Sequence, residues 1–238
     1  MQRRTAALAA GVTLCVAGSG AVVVGFAAGL GGISGGELQA LKAVATSVAP
    51  SIISCDNFDG PDAPLAGRAV QSPSTCGALT WDVHAGGWST ASGVVVVDGT
   101  TDSVATLGVG RVDAAVEVTV SGVSGAGGGV VADHDGADTY LAAVLAGDGP
   151  VRADLLLVAA GVPTVLDTTV VSIGTSTTLS LVRLADAVEV RVDGAPVLSL
   201  TLDPGIIAIL GGGDRAGLYA STASIQFDDL RVTTPLPS

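Results

Sequence analysis

The chain has 238 residues, a formal net charge of −12, 34 glycines, and a composition that is 48% hydrophobic but only 3% aromatic. That length accommodates one large domain with an N-terminal appendage, and the shortage of rings requires a core of Val, Leu, Ile and Ala. Beyond residue 50 there are 21 acidic residues against seven arginines and no lysine, a balance of −14; such a surface repels phosphate backbones and excludes nucleic acid as a partner.

Arg3 and Arg4 precede a run from Thr5 to Gly36 that carries no charge. About 20 apolar residues span a bilayer as a helix, whereas a signal-peptide core needs only about 7–15. Residues 1–36 are therefore expected to form a membrane or signal helix. The leading reading is a signal-anchor that stays in the membrane through residues 5–36. The alternative is a cleaved signal peptide, for which Ala27 and Ala28 supply small residues. The basic start keeps that end in the cytoplasm, which places everything after it on the extracytoplasmic side. Cys15 follows Leu14 inside the run rather than at its end, so it reads as an apolar cysteine and not as a lipidation site. Over 37–50, Leu38, Leu41, Ala45 and Val48 recur at helical spacing until Pro50 stops the pattern, which predicts a short helical linker.

From Leu79 onward the dominant period is two. In RVDAAVEVTV, Val112, Ala114, Val116, Val118 and Val120 share one face, while Arg111, Asp113, Glu117 and Thr119 share the other. In AVEVRVDGAPVLSL, Val188, Val190 and Val192 alternate with Glu189 and Arg191, and Asp193-Gly194 supplies the positive-φ pair of a tight hairpin. Further strands are predicted at GVVVVD, SVATLGV, TYLAAVLA, RADLLLVA, TTLSLV and AGLYA, divided by Gly, Asp or Pro clusters. In ASIQFDDLRV the apolar phase slips by one residue at Asp228-Asp229, so a β-bulge is expected there, with Phe227 buried. Many short strands predict an all-β, two-sheet antiparallel sandwich over 51–234, with a tail at 235–238.

The order DNFDGPDAPLAG, WDVHAGGWSTASGVVVV, GGGVVADHDGADTYLAAV, VRADLLLVAAGVPTVL, LSLVRLADAVEVRVDG and DRAGLYASTASIQFDDLRV resembles the concanavalin A-like lectin/glucanase superfamily, in its laminin-G-like bacterial and phage branch. The resemblance covers roughly residues 55–233 and rests on the order of loose motifs. One departure stands out: Asp133 occupies a place that usually holds arginine, and aromatics are few. The resemblance implies a jelly roll whose first strand, CDNFDG, pairs near the last, FDDLRV. It also places Phe58, Trp81 and Trp88 in the core.

Cys55 and Cys76 lie in a compartment that permits oxidation and are expected to form a disulfide, with two free thiols as the alternative. If the fold is as implied, Asp56, Asp59, Asp228 and Asp229 meet in one neighbourhood and are candidate ligands for a structural calcium, the one cofactor expected, if any. The acidic loop with Asp133, Asp135 and Asp138 reads as turn chemistry, with calcium as the lesser alternative. Catalysis is disfavoured: the three glutamates, Glu37, Glu117 and Glu189, do not form the E-x-D-x-x-E strand of the glucanases. The two histidines, His84 and His134, lack zinc spacing. With both tryptophans assigned to the core, Tyr140 and Tyr219 remain as ligand-binding candidates. The expected function is therefore an exported, membrane-anchored or secreted, noncatalytic cell-surface module that binds a glycan or protein, or serves structurally. A divergent glycoside-active enzyme and a phage-derived adhesion or tail module are the alternatives.

Overall fold

The computed structural model describes residues 15–17, 21–23, 49–71, 78–99, 102–125 and 127–235. The chain divides into two compact units, 1–49 and 50–238. In the first, β1 (Cys15–Ala17) pairs antiparallel with β2 (Ala21–Val23). These two strands fall inside the stretch predicted to be a membrane or signal helix. The rest of that stretch, and residues 37–48 of the linker helix expected over 37–50, lie outside the described residues. No helix among the described residues is long and apolar enough to cross a membrane.

The second unit is built from β3 (Ile52–Asp56), β4 (Ala63–Pro64), β5 (Trp81–Ala85), β6 (Gly87–Ala91), β7 (Val94–Asp98), β8 (Ser103–Gly108), β9 (Ala114–Ser121), β10 (Gly128–His134), β11 (Tyr140–Ala146), β12 (Arg152–Ala159), β13 (Val162–Val170), β14 (Ser176–Leu184), β15 (Ala187–Val192), β16 (Ala195–Thr201), α1 (Pro204–Leu210), β17 (Arg215–Ala220) and β18 (Gln226–Thr233). Seven strands form one antiparallel sheet in the order β13-β12-β11-β10-β17-β8-β5. Nine form the other, in the order β16-β15-β14-β9-β18-β7-β6-β4, with β3 also on β18. The period-two faces meet between the sheets. Val116, Val118, Leu179, Leu181, Val188 and Val190 of the nine-stranded sheet face Val130, Leu141, Ala143, Leu155 and Leu218 of the other. Trp81 and Trp88 are buried, Phe58 contacts Trp81 at 6.0 Å, and Trp88 contacts Phe227 at 5.8 Å. Four rings, Phe58, Trp81, Trp88 and Phe227, therefore sit where the end of β3 meets β5, β6 and β18.

Asp193 and Gly194 have φ of 51° and 76°, as the hairpin between β15 and β16 requires. The bulge is in place on β18: Asp228 lies opposite Thr119 and Arg231 opposite Glu117, so three steps on β18 match two on β9. Asp229 takes up the extra residue at φ 51°, and Phe227, Leu230 and Val232 all reach the core. The same kink splits one edge of β18 between two partners. Its first residues pair with β7, and its last pair with β3, where Leu230 lies opposite Asp56 and Arg231 opposite Cys55.

The short helix α1 is one element that the sequence reading did not name. Asp203 caps it by accepting from the Gly205 N–H at 2.7 Å, Pro204 opens it, and Gly211 at φ 63° ends it. Seven residues, all apolar or glycine apart from the proline, are too few to display a period of 3.6. The signal that could have found it is the D-P…G punctuation.

Candidate functional site

The opening and closing strands bring the predicted carboxylates near one another, but with divided roles. Asp56 turns inward and is 1% exposed. Its Oδ1 accepts from the N–H groups of Phe58 (3.0 Å) and Gln71 (3.2 Å). Its Oδ2 accepts from Trp81 Nε1 (2.8 Å) and Arg68 (3.4 Å). Four protein donors thus occupy the lone pairs that a cation would need. Asp59 is exposed and takes a hydrogen bond from Asn57 at 2.8 Å. Asp228 accepts from the Asp229 N–H at 2.8 Å. Burial raises the Asp228 carboxyl above its ordinary range, and the charges of Asp229 and Asp59 add to that. Among the described residues no group of three or more His, Cys, Asp or Glu is placed to hold a metal ion. Cys55 lies half-buried on β3, and Cys76 falls outside the described residues.

The loop read as turn chemistry is a turn. Asp135 Oδ1 receives the N–H groups of Ala137 (2.8 Å) and Thr139 (3.2 Å). Burial opposes ionisation there, but those two donors hold the carboxyl below its ordinary range. Asp133, at φ 53°, turns between the sheets to Arg183 Nε at 2.9 Å. It is where a family arginine was expected, and Arg183 supplies the opposite charge from the facing sheet.

The outward face of the nine-stranded sheet carries a groove. The strand register sets Arg231, Glu117, Ser180 and Arg191 in one transverse row across β18, β9, β14 and β15. Two hollows of about 390 and 250 Å³ meet over Glu117 and Arg231. The first continues past Thr119, Thr178, Asn57 and Asp229; the second continues past Ser180, Val182 and Arg191 toward Pro50 and Pro235. From Ala115 to Thr119 along β9 this is roughly 13 Å, at about 3.3 Å per residue.

Charges in the groove are unusually available. Of the seven arginines beyond residue 50, five are ion-paired: Arg68 with Asp56, Arg152 with Asp154, Arg183 with Asp133, Arg191 with Glu189, and Arg215 with Asp82. Arg111 and Arg231 are left, and Arg231 is the one that lines the groove. Glu117, its neighbour across the ladder, makes no ion pair or hydrogen bond among the described residues. Composition could not single out these two, because the surface alternation that exposes Glu117 exposes every second residue of a strand. Glu189 lies on the same face, two strands from Glu117. Its row is that of Ala115, two residues along from Glu117, so the two backbones are roughly 12 Å apart, more than twice the carboxyl separation that retaining glycoside chemistry needs.

Tyr140 and Tyr219 come together on the outward face of the seven-stranded sheet, in a second apolar cluster with Val104, Val131, Ala142 and Val144. They are only 5% and 6% exposed. The His134 ring stacks on Tyr140 at 5.2 Å and 14°, and the Tyr219 hydroxyl donates to Asp102 at 2.7 Å. Burial first, then Asp102 and Asp138, push the Tyr140 hydroxyl up to about 12. Burial and the bond to Asp102 raise that of Tyr219 as well. A platform for a pyranose needs an uncovered ring face, and the Tyr140 ring already has His134 stacked against it. The histidines, set aside for lacking metal spacing, are what organise this face.

Geometry and topology together define a two-sheet antiparallel β-sandwich. No family model and no curated protein matches the chain. Among solved structures, the carbohydrate-binding module CBM66 from Bacillus subtilis is similar with a TM-score of 0.54 at 15% identity, covering 64% of this chain and 94% of that one. The exoplasmic/lumenal domain of VIP36, bound to Ca2+ and Man3GlcNAc, gives 0.47 at 14% identity over 66% and 84%. A GH43 protein from Bacillus licheniformis gives 0.45 at 15% identity over 76% of this chain and 39% of that one. At these identities the likeness is one of fold.

Proposed function

We propose that the sandwich over 51–234 is a noncatalytic carbohydrate-binding module, of the laminin-G-like kind, and that its ligand lies in the groove over Glu117 and Arg231. The observation that carries this is the pair itself: a guanidinium and a carboxylate side by side, neither engaged in an ion pair or hydrogen bond among the described residues, in a trough edged with Ser and Thr hydroxyls. A hydroxyl is at once donor and acceptor. Vicinal hydroxyls on a sugar therefore satisfy a planar acceptor and a planar donor that neighbour each other. The length of the trough suits a short run of a linear glycan. The fold shared with a carbohydrate-binding module supports the reading.

A glycan array probed with the full-length protein tests it. Binding to at least one glycan class is expected, with Glu117→Gln and Arg231→Met each weakening it about tenfold or more, since hydrogen bonds to charged groups contribute about 1.5–3 kcal/mol. No binding at millimolar glycan, or variants that bind like the parent, removes the proposal.

Two expectations belong to the same reading: export with anchoring through residues 5–36, and a Cys55–Cys76 bridge. One preparation reads both. The protein should sediment with membranes after carbonate washing, and a thiol reagent should label Cys55 and Cys76 only after reduction. A soluble mature form starting after residue 28 rejects the anchor, and labelling of both without reductant rejects the bridge.

A further inference from the structure

His134 ends β10 and is 0% exposed. Its Nδ1 accepts from the Gly136 N–H at 2.9 Å. With that lone pair committed, the neutral ring carries its proton on Nε2, and Nε2 is buried with no partner among the described residues. The ring is held between Tyr140 on one side and His84 on the other, at 5.2 and 4.2 Å between centroids. His84 Nε2 lies 2.7 Å from Thr106 Oγ1, which also receives Arg215 Nε at 2.9 Å.

The groups around this column come from every neighbouring element: Asp82 and His84 on β5, Thr106 on β8 with Asp102 just before it, Arg215 and Tyr219 on β17, Tyr140 on β11, and Asp135 and Asp138 in the loop. The loop itself is a small closed unit. The Asp135 N–H bonds the Thr139 carbonyl at 3.1 Å, Gly136 sits at φ 87°, and the Asp135 carboxylate holds Ala137 and Thr139.

We propose that His134 is an acid-sensitive latch on the β10–β11 loop: a proton taken from solvent onto Nδ1 breaks the Gly136 bond, sets an imidazolium against His84 and Arg215, and releases residues 135–139 and the Tyr140 stack while the sandwich stays folded. The one lone pair that can accept the proton is the one that holds the loop, so charging and holding exclude each other. Asp135 lies on the released segment and offers the new charge a partner once the loop moves.

Burial, and then the neighbouring His84, hold the His134 ring down to about 4, against an ordinary 6.5. Burial and Arg215 likewise lower His84. A folded value below the unfolded one means that the neutral ring's contribution is whole above pH 6.5. It is lost as the pH falls through about 4, which sets the window for release. This inference stands apart from the glycan groove, which lies on the other sheet.

Hydrogen exchange of the segment 134–140 in the full-length protein, together with tyrosine near-ultraviolet circular dichroism, tests the latch. Between pH 7 and 4.5, protection of the segment, corrected for intrinsic rates, should fall at least tenfold. The tyrosine signal should fall with it, the far-ultraviolet signal should hold, and all should recover on return to pH 7. His134→Asn offers a side-chain carbonyl to the Gly136 N–H and does not titrate, so it should keep the loop protected at pH 4.5. Protection that is independent of pH in the parent, or lost at the same pH in His134→Asn, overturns the proposal. If that variant does not fold, the imidazole resonances of the parent decide: His134 titrating at or above pH 6 with an unchanged loop overturns the latch, and titration well below pH 6 in step with loop release supports it.

Discussion

Asp56→Ala is expected to destabilise the sandwich by about 4 kcal/mol or more, enough to leave the domain largely unfolded at 37 °C. The residue lies on β3 in the nine-stranded sheet, yet its Oδ2 receives the indole N–H of Trp81 on β5 in the other sheet. Its Oδ1 fixes the backbone at Phe58 and Gln71, which sets the turn after β3 and the segment leading away from Arg68. Removing the carboxylate strands four donors. Two of them, Trp81 and Arg68, are side chains buried beside Phe58, whose ring lies 5.8 Å below the Arg68 guanidinium. Breaking a buried pair from one side typically costs about 3–5 kcal/mol, and each further orphaned donor adds about 1–3. Asp56→Asn should cost less, about 2–3 kcal/mol, because one oxygen survives for the amides while an N–H₂ is set against Trp81 and Arg68. Urea unfolding of the two variants and the parent checks the order. Equal losses from Asn and Ala would mean that shape, not charge and acceptor count, makes Asp56 necessary.

The second large effect is expected at the other inter-sheet pair. Arg183 on β14 and Asp133 at the bulge of β10 are 3% and 2% exposed. The single 2.9 Å contact joins Arg183 Nε to Asp133 Oδ2, and Arg183 Nη1 and Asp133 Oδ1 have no hydrogen-bond partner among the described residues. Burial raises the Asp133 carboxyl even though Arg183 pulls the other way, so the desolvation penalty is the larger effect. Such a pair is costly to break and of little net value to keep. Arg183→Met alone should lose about 3–5 kcal/mol. Asp133→Leu alone should lose a similar amount, because it leaves a buried guanidinium. The double variant should recover most of that loss, giving a coupling of about 2 kcal/mol or more in a double-mutant cycle. Additive losses would reject the account. The pH dependence carries a sign as well: a carboxyl raised in the folded state binds its proton more tightly there, so its contribution is greatest at low pH and fades as the pH rises through the folded value. Asp133 thus works against the acid sensitivity that His134 imparts, and Asp133→Leu should steepen the loss of stability below pH 6.

The two inter-sheet contacts that are expected to be costliest to break from one side are therefore polar, in a protein whose sequence is dominated by Val, Leu, Ala and Gly. The apolar layer supplies the driving force but little directionality. With three phenylalanines and two tryptophans in the whole chain, few side chains are large enough to key one sheet against the other. Asp56 with Trp81, and Asp133 with Arg183, bridge the sheets with directional bonds.

Local alternation was enough to read strands such as β9 and β15, but not β10, which is buried on both faces, or β13. The valines of β9 and β15 mark their buried faces because a strand has a period of two and one face of each sheet is covered. Asp193-Gly194 marked its hairpin because two successive positive φ angles tolerate few other residues. The slip at Asp228-Asp229 marked the bulge because an apolar phase error in a strand has few remedies other than an extra residue. These are properties of neighbours in the chain, and the sequence by itself determined them, along with the absence of a large aromatic core. What it could not determine depends on residues far apart in sequence. Glu117 and Arg231 become a candidate site only because β9 pairs with β18, a separation of more than a hundred residues. Tyr140 is covered because β10 delivers His134 against it, and His84 arrives from β5 on the far side of the sheet. Asp56 reads as a surface acid in CDNFDG and is instead a buried hub, because its four donors come from three separate places in the chain. Pairing partners across a sheet, and the side to which a polar group turns at a bulge, are set by the free energy of the assembled sandwich. No local pattern encodes them.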